Sequence, residues 1–213
     1  MDQKKCDKKY EYYEIKVSIR DTHPPVWRRL RIPEGITFHE LNAIIQISFG
    51  WSGYHAYDFE VRTTSHGIGI LIELPELCEG WKGIEIRNSK EEKIDKYFKE
   101  YKKVKYTYDF GDEWIHDIII EKIVETDIKL VSPVCIKAKM ANLPEDCGGS
   151  YGYEDVLDIL ADKKNKRHEE MREWIGESCP SWQDDREYVD IEGINVDLED
   201  YKDYAEFLLT NNE

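Results

Sequence analysis

Three carboxylates and an imidazole fall within eight residues at Asp109, Asp112, Glu113 and His116, inside the run Tyr106-Thr107-Tyr108-Asp109-Phe110-Gly111-Asp112-Glu113-Trp114-Ile115-His116-Asp117-Ile118. Oxygen and imidazole donors at that density are the ligand types of a divalent ion. Joined by His55, near the start of a separate strand-like run, and by Glu145 or Asp146 further on, Asp112 and His116 would suit Zn²⁺, Mn²⁺ or Fe²⁺. A metal there would activate water for hydrolysis, with Asp112, Glu113 and His116 as the catalytic candidates. A plainer account competes with this one. A histidine at a strand start beside aromatics is often a core residue satisfied by one hydrogen bond, and Asp109-x-x-Asp112 can bond the backbone N–H groups of its own turn.

Other reactive side chains carry less. Pro144-Glu145-Asp146-Cys147-Gly148-Gly149 offers a thiol and a glycine pair able to form an anion nest, but the two acids before the glycines oppose phosphate. Cys147 has no base identifiable beside it, as a thiol nucleophile requires. Asp109-Phe110-Gly111 matches the metal-binding tripeptide of protein kinases, yet no phosphate-covering glycine loop or catalytic loop precedes it, so a kinase is excluded. Trp27, Arg28, Arg29 and Trp51 would make a small basic, aromatic binding surface for a nucleic-acid end; the alternative is arginine stems lying over apolar rings.

These groups need elements to hold them. Tyr13, Ile15, Val17 and Ile19 alternate with polar residues and predict a half-buried strand, broken at Thr22-His23-Pro24-Pro25 and resumed over Val26–Ile32 as the second arm of a hairpin. In that arm Trp27, Arg29 and Arg31 share one face and Arg28, Leu30 and Ile32 the other. Thr37 and Glu40 form a capping box for a helix carrying Phe38, Leu41, Ile44, Ile45 and Phe49, and Tyr57, Phe59 and Val61 begin another strand. Weaker strand signals lie at 68–74, 84–86 and 133–136, and Ser89 with Glu92 predicts a second capping box. Gly111 predicts a single β-turn closing 104–110 onto 114–124, with Trp114, His116 and Ile118 on one face. Asp112 joins that face only if the turn does not rotate it away.

Beyond 141 the chain turns helical and acidic. Residues 141–213 hold 21 acids and 7 bases, net −14, against 24 acids and 23 bases, net −1, in residues 1–140. Phosphate tracking by accumulated Lys and Arg is thereby disfavoured over the C-terminal part. Five cysteines without a close pair exclude a CxxC knuckle and argue against a disulfide framework. The expected protein is cytoplasmic, without a membrane span. A disordered leader over 1–9 would precede one α+β domain over 10–208, whose mixed or antiparallel sheet opens strand-strand-helix-strand, with helices packed on it and a helical, acidic C-terminal third.

Four motifs in order carry a resemblance: Pro24-Pro25-Val26-Trp27-Arg28-Arg29; Phe49-Gly50-Trp51 with His55 and Phe59; the 106–116 run; and Pro144-Glu145-Asp146-x-Gly148-Gly149 with Gly152-Tyr153. Together they resemble the plasmid pRiA4b open-reading-frame-3-like family, whose name is also attached to passenger proteins of bacterial insertion elements. The resemblance implies a compact α+β domain without an established activity. It maps the family's motif histidines onto His55 and His116, and its motif acids onto Asp109, Asp112, Glu145 and Asp146. Tyr57 stands where the family's first motif usually carries a second histidine, and Leu143 where a proline often stands. Asp109, Phe110, Gly111, Trp114, Gly148 and Gly149 are the structural part of these motifs. The first functional expectation is a binding or interaction module of plasmid or mobile-element genes, presenting a polar cleft to a protein or small-ligand partner. A metal-dependent hydrolase acting on phosphoesters and a nucleic-acid-binding accessory protein are the alternatives.

Overall fold

The computed structural model of the chain describes residues 9–61, 69–74, 84–179, 182 and 185–210. The expected leader up to residue 8, His66, Cys6, Cys78 and the expected loop 80–83 lie outside them. Eight strands form one sheet: β1 (Tyr10–Ile19), β2 (Trp27–Pro33), β3 (Tyr57–Val61), β4 (Ile70–Glu73), β5 (Glu85–Asn88), β6 (Lys103–Tyr108), β7 (Trp114–Thr126) and β8 (Val134–Lys139). Their order is β5-β4-β3-β6-β7-β1-β2-β8, antiparallel except for the β4–β5 pair. The helices are α1 (Phe38–Phe49), α2 (Ile94–Phe98), α3 (Gly149–Ala161), α4 (His168–Ser178), α5 (Ile191–Asp197) and α6 (Tyr201–Thr210), with a 3₁₀ turn at Leu198–Asp200. No helix of the described residues is long and apolar enough to cross a membrane.

Period-two patterning decides which sheet face is buried. Tyr13, Ile15 and Val17 of β1, Leu30 and Ile32 of β2, Phe59 of β3 and Val104 and Tyr106 of β6 are fully buried, and so are Phe38, Leu41, Ile44, Ile45 and Phe49 of the covering α1. Each such side chain contributes about 1.5–3 kcal/mol by leaving water. Helix α1 is fixed at both ends. The Thr37 hydroxyl accepts from the Glu40 N–H and the Glu40 carboxylate accepts from the Thr37 N–H, while Gly50 stops the helix in the left-handed region at φ 69°. A Cβ at Gly50 would collide with the Asn142 side chain, so glycine serves both the cap and the close approach of a distant loop. Helix α6 packs on the far side of α1 through Ala43, Ala205 and Leu208, and His39 bridges the Tyr57 hydroxyl (2.7 Å) and the Ala205 carbonyl (2.8 Å).

Two local expectations change. Ser89 and Glu92 do not cap α2, which starts at Ile94 with Lys93 in the cap position and no side-chain cap bond. Tertiary partners compete successfully for both: the Ser89 hydroxyl pairs with Tyr57 at 2.9 Å, and Glu92 accepts from Tyr97 (2.7 Å) and Arg87 (2.8 Å). The β6–β7 connection is also wider than a single β-turn. Tyr108 pairs with Trp114, leaving the five residues 109–113 as the loop. Asp109 and Glu113 take positive φ (56° and 52°), which lets the Glu113 N–H donate to the Asp109 carbonyl at 2.7 Å. An aspartate tolerates the left-handed region because its short side chain can bond locally.

Candidate functional site

The β6–β7 loop, the segment after α1 and the loop before α3 meet at one end of the sheet. Asp109 is the organiser: its Oδ1 accepts the N–H groups of Gly111 (2.9 Å) and Asp112 (3.4 Å), and its own N–H donates to the Ala56 carbonyl at 2.9 Å. That fixes the turn and leaves Oδ2 facing the Nδ1 of His55 at 3.8 Å. The other ring nitrogen of His55, Nε2, lies 3.2 Å from Asp146 Oδ1. One donor atom from each of His55, Asp109 and Asp146 lies within 4.8 Å of the others, a spacing able to hold a metal ion. His55 is half-buried, Asp109 nearly buried and Asp146 exposed, so the group has a rigid inner ligand and an open outer side.

The neighbouring acids do other work. Glu145 accepts from the Ser52 N–H (2.9 Å) and the Tyr108 hydroxyl (2.6 Å), which pins the loop before α3 onto β6 and the α1 exit. With burial, this carboxylate drives the Tyr108 hydroxyl well above its ordinary pKa. Asp112 accepts from the Gly148 N–H at 2.9 Å, and Gly149 (φ 68°) passes so close to the Asp112 carbonyl that a Cβ would strike it. The two loops are thereby latched together. Glu113 is exposed on the outside of the turn.

His116 is placed differently. It is fully buried on the β7 face that carries Trp114 and Ile118, with Nδ1 2.9 Å from the Trp114 carbonyl and rings of Tyr106, Trp51 and Phe49 packed at 5.0, 5.3 and 5.5 Å. Burial lowers its pKa to about 3, so it is a neutral interior imidazole. The five expected ligands thus divide. His55 and Asp146 come together, Glu145 and Asp112 serve as backbone latches, and His116 lies in the aromatic layer. Asp109, expected as a structural residue of the motif, is the third member of the cluster. Its signal was present in the run, because an Asp whose first oxygen is taken by its own turn still has a second to offer.

The expected surface of Trp27, Arg28, Arg29 and Trp51 is not one surface. Arg28 is fully buried on the α1 side of β2, where its guanidinium donates to the carbonyls of Ser48, Met140, Lys139 and Trp27 and to Asn142 Oδ1, and stacks 4.8 Å over Phe49. Period two sends residue 28 inward, and the open carbonyls at the α1 C-terminus give a cation its place. Burial lowers its pKa to about 10. Trp51 is buried too, stacked on Tyr108 at 5.2 Å and donating its ring N–H to the Leu143 carbonyl. Trp27 and Arg29 lie on the opposite face, where Arg29 forms a two-pronged pair with Glu121 at 2.6 and 2.8 Å. Cys147 is no activated thiol: burial first and Asp112 second push its pKa up to about 12.

Residues 11–193 match the family described as plasmid pRiA4b ORF-3-like protein. The uncharacterised protein y4hQ of Sinorhizobium fredii is 32% identical over 171 residues, covering 77% of this chain and 80% of that protein. A crystal structure of MM3350 from Methanosarcina mazei Go1, a protein of unknown function, is 34% identical, covers 86% of this chain and 97% of the other, and superposes with a TM-score of 0.72. The His55 and Asp146 loops and the β6–β7 loop all lie inside the matched span, and the chain belongs to the plasmid pRiA4b ORF-3-like family.

Proposed function

We propose that this protein is a divalent-metal-binding module of the cytoplasm, with the ion held by His55, Asp109 and Asp146 at the open end of the cleft between the β6–β7 loop and the loop before α3. The observation that supports it is the convergence of one nitrogen and two carboxylate donors, from three separate chain segments, within 4.8 Å of one another. Mixed nitrogen and oxygen donors suit Zn²⁺, Mn²⁺ or Fe²⁺. The nearly buried Asp109 supplies preorganisation, and the exposed Asp146 completes the set as the ion arrives. A partner protein or small ligand would meet the ion from the Asp146 side. The link to plasmid genes rests on the family's name alone.

A second reading, hydrolysis of a phosphoester, is supported by the open side of the same cluster. Three protein ligands leave room for a water whose proton the ion would make easier to lose. Metal content of protein purified without a histidine tag or chelator, followed by Zn²⁺ and Mn²⁺ titration calorimetry, tests the binding on which both rest, and phosphodiesterase turnover by the loaded protein then tests the second. His55→Ala and Asp146→Asn are expected to weaken binding about tenfold or more each, by loss of one ligand. An Asp112→Asn, His116→Phe double variant that still folds is expected to keep the metal. Binding unchanged in His55→Ala would overturn the assignment.

A further inference from the structure

A groove of about 580 Å³ runs between the C-terminal end of α1 and the α5–α6 region, separate from the His55 cluster. Ile47, Gly50 and Trp51 form one wall, and Tyr204 and Phe207 with Asp197, Asp200 and Asp203 the other. The two aromatic rings are stacked, 19° apart in plane with centroids at 6.0 Å, and Phe207 is exposed. The Tyr204 hydroxyl is committed to the carbonyls of Trp51 (3.1 Å) and Ser52 (2.9 Å), which anchors its ring as part of the wall.

The aspartates have no comparable internal employment. Asp197, Asp200 and Asp203 are exposed. No bond or ion pair joins their carboxylates to any described residue, whereas Asp117, Glu121, Glu14 and Glu92 all hold Lys or Arg partners. Asp203 in the first turn of α6 gains from the helix dipole. Asp197 does not: it is the last residue of α5, where a negative charge opposes the dipole, and it makes no side-chain cap to the 3₁₀ turn that follows. Three carboxylates without a cationic partner among the described residues, spaced along an aromatic wall within a segment of net −14, are complementary to cations with a flat apolar face.

We infer that this groove docks an arginine-bearing segment of a partner protein, the guanidinium lying against Tyr204 and Phe207 and facing Asp197, Asp200 and Asp203. A guanidinium fits better than an ammonium because its plane stacks on a ring while its edge donates to carboxylates. The inference does not depend on a metal at His55.

Fluorescence anisotropy with a labelled arginine-containing nonapeptide, at low and at physiological salt, tests it. The same peptide with citrulline in place of arginine keeps the shape and removes the charge. The wild-type protein should bind the arginine peptide, more weakly as salt rises, and bind the citrulline version at least about tenfold less well. The Asp197→Asn, Asp200→Asn, Asp203→Asn variant should lose about tenfold, and Phe207→Leu about threefold with charge unchanged. Glu91→Gln, Glu100→Gln, Glu125→Gln removes three exposed acids elsewhere and should stay within about twofold of wild type. Equal loss in that control would reduce the effect to net charge and overturn the inference. Absence of binding to the arginine peptide, or equal binding of the citrulline peptide, would overturn it as well.

Discussion

His116 and His55 follow the same kind of motif, yet one is sealed and the other stands at a rim. Around His116 the rings of Phe49, Trp51 and Tyr106 exclude water, one carbonyl meets one nitrogen, and the pKa falls to about 3. Around His55 one side is open, and each nitrogen faces a carboxylate. Arg28 belongs with His116, and Asp146 with His55. Polar residues of this fold thus sort into an inner set that holds α1 and the loops on the sheet, and an outer set whose donors are open to solvent.

Substitutions in the two sets should therefore separate in size and in pH dependence. Arg28→Met is expected to cost most, roughly 3–5 kcal/mol in urea unfolding, because it strands the buried carbonyls of Ser48 and Met140 together with Asn142 Oδ1. A cost below about 1 kcal/mol would remove Arg28 from the inner set.

His116→Phe sharpens the contrast through its titration. A histidine held at about 3 in the folded state but near 6.5 when unfolded binds its proton more readily in the unfolded chain. Its neutral burial therefore contributes fully above pH 6.5, and that contribution is lost as pH falls from 6.5 toward 3. Between pH 7.5 and pH 5 the wild type should lose about 2 kcal/mol that His116→Phe does not lose. Equal pH slopes in the two proteins would mean that the imidazole is not sealed. The smallest effect belongs to His55→Phe, at most about 1 kcal/mol in stability, since a half-exposed histidine that lies 3.8 Å from Asp109 and pairs with the solvent-screened Asp146 holds little of the fold. Its consequence should appear in metal binding instead.

Much of the frame was legible in the chain. Alternation at Tyr13, Ile15 and Val17 and the inward face of Trp114, His116 and Ile118 read directly as strands with one buried side, because a period of two commits every second side chain to the core. The Thr37–Glu40 box marked the start of α1, since its bonds span only three residues. The Ser89–Glu92 pair has the same spacing and failed, because Tyr57, Tyr97 and Arg87, remote or on the neighbouring strand and helix, outcompeted the local bonds.

The site was legible in its residue types and not in its grouping. Patterning put Arg28 on the inward face beside Leu30 and Ile32, but its charge argued for solvent; the carbonyls that make a buried guanidinium tolerable come from α1 and from residues 139–142. Asp109 carried a turn signal, and only the approach of His55 and Asp146 gives its second oxygen a further role. Sequence by itself determined the strands, the main helix and the stock of donors, since these depend on backbone bonding and side-chain period over a few residues. Tertiary structure alone decided which donors meet, because His55, Asp109 and Asp146 sit on three loops brought together by strand pairing and by the Glu145 and Asp112 latches. Loop meeting points are set by the whole sheet, and no local pattern encodes them.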